Sequence, residues 1–141
     1  MLFRSNVAAA GKWRGGIGSV RKFTYLADGG FSIEGEGHKY RPWGFDGGAP
    51  GTTGELKLLH ADGRVTELVS KVPYHRMAKG DCLAAYGPCG GGYGNPKERD
   101  PELVLADVLD ELISAEQAAE QYGVVIRNGQ IDREATAARR A

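Results

Sequence analysis

Glycine is the residue that most limits how this chain can fold. The 141-residue sequence contains 22 glycines, concentrated in residues 44–54 and 87–94. This is about twice the usual glycine share of roughly 7%. Because glycine leaves no side chain between backbones, these stretches predict extended, polyproline II-like segments that pack very closely. Several prolines fit the same interpretation: Pro42, Pro50, Pro73, Pro88 and Pro96.

The stretch 87–94 has an alternative interpretation as an anion cradle, because bare backbone N–H groups line many phosphate sites. A Walker loop would continue into Lys-Ser/Thr and a helix, and a dinucleotide-binding fingerprint would open a helix at its last glycine. Here the stretch runs into Asn95-Pro96 and charged residues. Close packing is therefore favoured, and a free-standing anion-binding module stays as an alternative of a different class.

The part of the chain before Asn95-Pro96 has β-type patterns. Residues 17–26 mix β-branched, aromatic and charged residues in a rough period of two, which predicts a half-exposed strand. Residues 55–60 and 64–69 predict a hairpin that turns at Ala61-Asp62-Gly63. Asp28-Gly29-Gly30 predicts a turn into FSIEGEG, and residues 82–86 predict a further short strand.

The last third has helix signals. Asp100 can cap a helix from about 101 to 113, whose apolar residues cover about 180° of a helical wheel and so predict more than one packing neighbour. Ser114, with Gln117 placed for a capping box, begins a second helix that ends at Tyr122-Gly123. Residues 124–126 predict a strand, Asn128-Gly129 a tight turn back to Ile131, and Asp132 the cap of a final helix over 133–140.

The predicted fold class is α+β. A glycine-rich β-sheet or partial β-barrel occupies about residues 12–95, and a small helical part occupies about 101–140. We predict one domain, 1–141, with a β-rich part over 1–96 and a helical tail over 97–141 that carries a short hairpin near 124–131.

Composition excludes several classes of function. Eighteen basic residues balance 18 acidic ones, so no overall field attracts nucleic acid or an anionic membrane surface. No apolar run approaches the roughly 20 residues that span a bilayer, and the N-terminus lacks the apolar core of a secretion signal. The expected location is the cytoplasm, where Cys82 and Cys89 remain thiols and serve as small packing residues.

No residue is predicted to be catalytic, cofactor-binding or metal-binding. Cys82, Cys89, His60 and His75 are possible zinc ligands, yet the spacing of the cysteines matches no common structural zinc site. His38, His60 and His75 are each isolated from any motif that pairs a nucleophile with its base. Trp13 and Arg14, followed by two glycines, are typical of anion and interface sites, and equally of an arginine that lies over a tryptophan.

The order of these motifs resembles the C-terminal region of hydantoinase B-type proteins over nearly the whole chain. The matching segments are Trp13-Arg14-Gly15-Gly16-Ile17-Gly18, Pro42-Trp43-Gly44, Gly47-Gly48-Ala49-Pro50-Gly51, Lys79-Gly80-Asp81 and Gly90-Gly91-Gly92-Tyr93-Gly94-Asn95-Pro96. The tail adds Arg99-Asp100-Pro101-Glu102-Leu103-Val104, Asp107-Val108, Ser114, Ala118, Tyr122-Gly123-Val124-Val125, Asp132, Ala135-Thr136 and Arg139.

The resemblance implies a family that contains ATP-dependent hydantoinases, 5-oxoprolinases, and biotin-independent acetone and acetophenone carboxylases. Its members activate a carbonyl by phosphorylation, with ATP and Mg²⁺ on kinase-like, hydantoinase A-type partner subunits. The chain begins with Met1 just before the Trp-Arg-Gly-Gly motif, so we expect the larger hydantoinase B-type portion on another chain.

The chain is most similar to the small subunit of acetophenone carboxylase-like complexes. We therefore predict a structural and assembly subunit of a ketone carboxylase that joins bicarbonate to a ketone through carboxyphosphate and an enol phosphate. The alternative is a subunit of an ATP-dependent hydantoinase or 5-oxoprolinase, because the C-terminal motifs do not identify the acceptor.

Overall fold

In the computed structural model, which describes residues 2–141, seven strands precede the first of three α-helices. The first seven strands are β1 (Leu2–Phe3), β2 (Ser19–Thr24), β3 (Gly29–Glu34), β4 (Glu55–Leu59), β5 (Val65–Leu68), β6 (Lys71–Met77) and β7 (Cys82–Tyr86). A 3-10 helix (Pro96–Glu98) leads to α1 (Pro101–Leu109), α2 (Ala115–Gln121), the hairpin strands β8 (Ile126–Arg127) and β9 (Gln130–Ile131), and α3 (Arg133–Arg140). The sheets are antiparallel and open, so the α+β prediction is confirmed.

The main sheet has five strands in the order β1-β2-β7-β4-β5. The predicted hairpin is present as β4 and β5, with Leu56 opposite Leu68, and Gly63 has the positive φ of 89° that its turn requires. Leu56 and Leu58 alternate with more exposed neighbours along β4, so one face of the strand is buried. The period-two pattern therefore located this hairpin correctly.

A second, two-stranded sheet pairs β3 with β6, and the sequence patterns did not predict β6. Pro73 lies inside β6, and proline argues against a central strand because it has no N–H to donate. The register between the strands shifts between Phe31 and Ile33, opposite Pro73, so the proline falls at a bulge. The two sheets enclose a core of buried residues: Leu56, Leu58, Met77 and Leu83.

The helix caps were predicted correctly from the sequence. The Asp100 carboxylate accepts the Glu102 N–H at 2.9 Å at the start of α1. Ser114 and Gln117 form both bonds of a capping box at α2, each 3.1 Å long. Asp132 accepts the Ala135 N–H at 3.0 Å at the start of α3. Each cap satisfies N–H groups that have no partner inside the helix.

The predicted extent of the first helix, 101–113, is wrong over its last four residues. The helix ends at Leu109, and Glu111 adopts a left-handed φ of 58°. The N–H groups of Leu112 and Ile113 then both donate to the Asp107 carbonyl. Ile113 still reaches the core, with 2% of its surface exposed. The apolar pattern therefore predicted burial correctly, but burial here does not require helix.

The hairpin near 124–131 is confirmed, although its first strand is shifted. Val124 is fully buried but lies outside a strand, and β8 begins only at Ile126. Asn128 and Gly129 both have positive φ, 51° and 73°, as a two-residue hairpin turn requires.

A second core joins the helical tail to the N-terminal segment. Its buried members are Ala8, Ala10, Val104, Ile113, Ala118, Tyr122 and Val124. Ala8 and Ala10 lie about a hundred residues before their neighbours in the helices, so this core attaches the two ends of the described chain to each other.

Candidate functional site

Three glycine-rich segments, which we call the glycine layer, lie side by side: residues 11–19, 42–52 and 87–94. The segment 42–52 turns at Asp46-Gly47, where both residues have positive φ. The central segment, 87–94, bonds to both of the others. The N–H groups of Gly87, Gly90 and Tyr93 donate to the carbonyls of Ser19, Gly16 and Trp13, and those of Cys89 and Gly92 donate to the carbonyls of Thr52 and Ala49. Donors and acceptors both advance in steps of three, which is the period of a polyproline II helix.

The segments approach so closely that side chains do not fit between them. A Cβ added at Gly15 would overlap the Gly90 carbonyl, and one added at Gly51 would overlap the Cys89 carbonyl. At Gly11 a Cβ would lie 2.7 Å from the Tyr93 backbone nitrogen. The packing interpretation of the glycine clusters is therefore confirmed.

The same contacts remove the basis for the anion-cradle interpretation of residues 87–94. Six of their backbone N–H groups donate to backbone carbonyls at 2.8–3.1 Å: those of Gly87, Cys89, Gly90, Gly92, Tyr93 and Gly94. A phosphate site needs several converging N–H groups that are free to bind the ligand. In this segment those donors hold the layer together.

A buried ion network fixes the helical tail to the glycine layer. The Asp107 carboxylate, on α1, binds Arg14 Nε at 3.1 Å through one oxygen and an Arg99 terminal nitrogen at 3.0 Å through the other. The Asp107 and Arg99 side chains are only 7% and 9% exposed. Arg14, considered from the sequence as an anion-binding residue, is thus paired within the chain. Nothing in the sequence linked it to Asp107, 93 residues away.

Tyr122 lies beside this network in the second core. Its hydroxyl is buried and has no hydrogen-bond partner among the described residues, and Arg99 Nε is in the same situation. Burial raises the pKa of the Tyr122 phenol above its usual 10.0, because the phenolate would lose its hydration. Arg140 closes the network from α3 by donating to the Tyr122 and Arg99 carbonyls at 2.9 and 2.8 Å.

The structure does not bring the four residues considered as zinc ligands together at one site. Cys89 is fully buried in the glycine layer, where its sulfur accepts the Gly18 N–H at 3.2 Å, whereas Cys82 begins β7. His60 contacts Thr66 at 3.0 Å, and the His75 ring lies 5.6 Å from that of Phe31. Within residues 2–141, no three His, Cys, Asp or Glu side chains are grouped to hold a metal ion. Both cysteines are free thiols.

Three aromatic residues, one from each segment, are paired through their backbones at one end of the glycine layer. Trp13 pairs with Tyr93 in an antiparallel bridge, and Phe45 pairs with Tyr93 in a parallel one. We call Trp13, Tyr93 and Phe45 the aromatic row. Their side chains are 62%, 54% and 61% exposed. Trp13 was predicted from the sequence as a possible interface residue, but no sequence pattern brought it together with the other two.

Helices in the described part of the chain, 2–141, are too short and too polar to cross a bilayer. The longest is the nine-residue α1, whereas a membrane span needs roughly 20 residues.

Comparison with known proteins identifies the class to which this fold belongs. Residues 1–96 match the hydantoinase B/oxoprolinase family. The B component of a D-/L-hydantoinase from Pseudomonas sp. strain NS671 is 52% identical over 137 residues, which cover 94% of this chain and 23% of the relative. The beta component of caprolactamase from Pseudomonas jessenii is 37% identical over 94% of this chain and 24% of its own length. The chain is a member of the hydantoinase B/oxoprolinase family.

Solved structures agree with this assignment. ATP-dependent caprolactamase from Pseudomonas jessenii superposes with a TM-score of 0.77 at 29% identity, over 98% of this chain and 25% of that chain. Nucleotide-free acetone carboxylase has the same fold, with a TM-score of 0.78 at 23% identity over 99% of this chain and 23% of that chain. The chain therefore spans about a quarter of the length of the relatives that it matches.

Proposed function

We propose that this chain is a structural and assembly element of a multi-subunit, ATP-dependent enzyme of the hydantoinase B/oxoprolinase family. The observation that carries the proposal is the glycine layer. Its backbone groups bond to one another, and its close approach leaves no room for side chains between segments. Such a layer is a stiff wall with few groups that could perform chemistry. The region contributes shape to the complex, and larger portions of the enzyme contribute the reacting groups.

A wall of this kind has a clear chemical use. Acyl phosphates and carboxyphosphate hydrolyse in water, so an enzyme that forms them needs a closed chamber that excludes bulk solvent. A subunit can close such a chamber without donating a catalytic residue. The buried Asp107 network supports this role because it holds the helical tail and the glycine layer in one fixed arrangement.

The partners proposed for this chain are the larger hydantoinase B-type portion and kinase-like, hydantoinase A-type subunits. ATP and Mg²⁺ are proposed to bind those partners, not this chain. The balanced charge of 18 basic and 18 acidic residues gives no reason to add nucleic acid or a membrane as a partner. Two free thiols suit a reducing cytoplasm.

Two reactions are candidates for the whole complex. Hydrolysis of a cyclic amide is supported by sequence, because the hydantoinase and caprolactamase relatives are 52% and 37% identical to this chain. ATP-dependent carboxylation of a ketone, in the manner of acetophenone carboxylase, is the reaction that the motifs first suggested. Its support here is the fold shared with acetone carboxylase at 23% identity. We favour a cyclic amide as the substrate, because the hydantoinase and caprolactamase relatives are more similar in sequence to this chain than acetone carboxylase is.

Substrate profiling of the native complex tests this choice. The complex, purified gently from its source, is assayed for ADP release with hydantoins and lactams, and with acetone or acetophenone plus bicarbonate. We expect ATP turnover that depends on a cyclic amide, and none by this chain alone. ATP turnover that depends on ketone and bicarbonate instead would replace the favoured reaction with the second one. A stable monomer of this chain that turns over a substrate unaided would refute the structural role itself.

A further inference from the structure

The aromatic row is built on backbone that cannot easily rearrange. Trp13 and Tyr93 exchange two backbone hydrogen bonds of 2.9 Å each. The Phe45 N–H donates to the Gly92 carbonyl, and the Gly94 N–H donates to the Phe45 carbonyl, both at 3.0 Å. Residues paired directly across neighbouring extended segments project to the same face. The pairing therefore places three large, exposed aromatic side chains on one face of the layer.

Water is an unfavourable environment for this surface. Aromatic side chains bury about 150–250 Å² each when they are fully covered, so three that are more than half exposed leave roughly 350 Å² of aromatic surface in solvent. A contiguous apolar patch of a few hundred Å² is typical of a protein interaction site. Tryptophan, tyrosine and phenylalanine are also the residues enriched at interface centres, and a rigid presentation lowers the entropy cost of binding.

We propose that the aromatic row, Trp13, Tyr93 and Phe45, is the surface on which the larger portion of the hydantoinase B-type polypeptide docks. This inference rests on the assembly role proposed above. The relatives indicate which partner docks on the row, because in them the matched region is only 22–24% of one longer polypeptide. The remaining three quarters of such a polypeptide are permanently beside this region. The row supplies nearly half of the roughly 800 Å² per partner that a stable interface buries.

Co-expression gives a direct test. The probe is the hydantoinase B component of Pseudomonas sp. strain NS671, shortened to remove the region that matches this chain. The full 141-residue chain carries an affinity tag, and the affinity of the purified pair is measured by interferometry. Variants Trp13→Ser, Tyr93→Ser and Phe45→Ser are compared with Phe23→Ser, because Phe23 is equally exposed, at 53%, but lies on β2 in the main sheet. Circular dichroism establishes that each variant is folded.

The possible results distinguish the docking surface from the assembly role. We expect the wild-type chain and Phe23→Ser to bind alike, and at least one row variant to lose about 30-fold in affinity, the size of an interface hot spot. If the wild-type chain forms a complex and all three folded row variants bind as tightly, the assembly role stands and the docking surface is wrong. If the wild-type chain forms no complex, the assembly role fails. A homodimer that Trp13→Ser disperses in ultracentrifugation would assign the row to a second copy and overturn the inference.

Discussion

Replacement of Asp107 by alanine tests whether the buried ion network fixes the helical tail to the glycine layer. The substitution removes the shared acceptor of Arg14 and Arg99, at distances of 3.1 and 3.0 Å. The Arg99 side chain is 9% exposed, so its charge would remain buried without a counter-ion. Removal of one partner from a buried ion pair costs about 3–5 kcal/mol, because desolvation of the remaining charge is no longer compensated.

This cost is a large part of the total stability of a domain, which is about 5–15 kcal/mol. With an unfolding entropy of about 2.1 cal/mol/K per residue, a chain of this length should lose about 10–17 °C in Tm. Asp107→Asn keeps the shape of the side chain and removes only its charge. We expect an intermediate loss of about 1.5–3 kcal/mol, the range for a hydrogen bond to a charged group.

Urea unfolding followed by circular dichroism, with calorimetry for Tm, measures these losses. The matched control is Glu98→Ala, which breaks an exposed ion pair with Lys12 of similar length, 3.2 Å, between side chains that are 57% and 47% exposed. That variant should lose less than about 1 kcal/mol. An Asp107→Ala protein as stable as Glu98→Ala would refute the reasoning, since the network would then contribute no more than a surface pair.

Three further predictions concern other contacts. Gly15→Ala should cost about 1–3 kcal/mol by overpacking against the Gly90 carbonyl, whereas Gly16→Ala, whose Cβ would meet no atom within 4 Å, should be neutral or stabilise by about 0.4–1 kcal/mol in urea unfolding. Asp81 accepts hydrogen bonds from the Ala61 and Ala78 N–H groups, and these bonds lower the pKa of its carboxyl. The contribution of Asp81 to the free energy of unfolding is therefore complete above about pH 4 and is lost as the pH falls through the lower pKa of the folded state. The free energy of unfolding of Asp81→Asn should fall less steeply with decreasing pH than that of the wild type. Equal slopes for the two proteins would contradict this prediction. Tyr122→Phe should be neutral or should raise Tm, because the hydroxyl that it removes is buried without a partner. A large loss of Tm would contradict this, because it would mean that the hydroxyl is hydrogen-bonded in the folded protein.

The elements that were predicted well from the sequence are those fixed by local chemistry. The capping box at Ser114, the turn at Asn128-Gly129 and the alternation along β4 each depend on residues only a few positions apart. The errors have longer-range causes. Pro73 concealed β6 because its missing N–H is harmless only at a bulge, and the bulge depends on a strand some forty residues earlier. The left-handed turn at Glu111 is similarly invisible, since glycine, the usual signal for it, is absent there.

The candidate site was predictable only in part, for a related reason. The glycine clusters indicated close packing, but the segments that meet are decided by hydrogen bonds between residues far apart in sequence, such as those between Trp13 and Tyr93. Neither aromatic residue has a local pattern that identifies its neighbour. The glycine layer itself brings these residues together. Because its glycines leave no side chains inside the layer, side chains can act only at its ends and edges. One end carries the aromatic row, and Arg14 connects the layer to Asp107 on α1. A layer built in this way presents surfaces with precision while it carries few chemically reactive groups of its own.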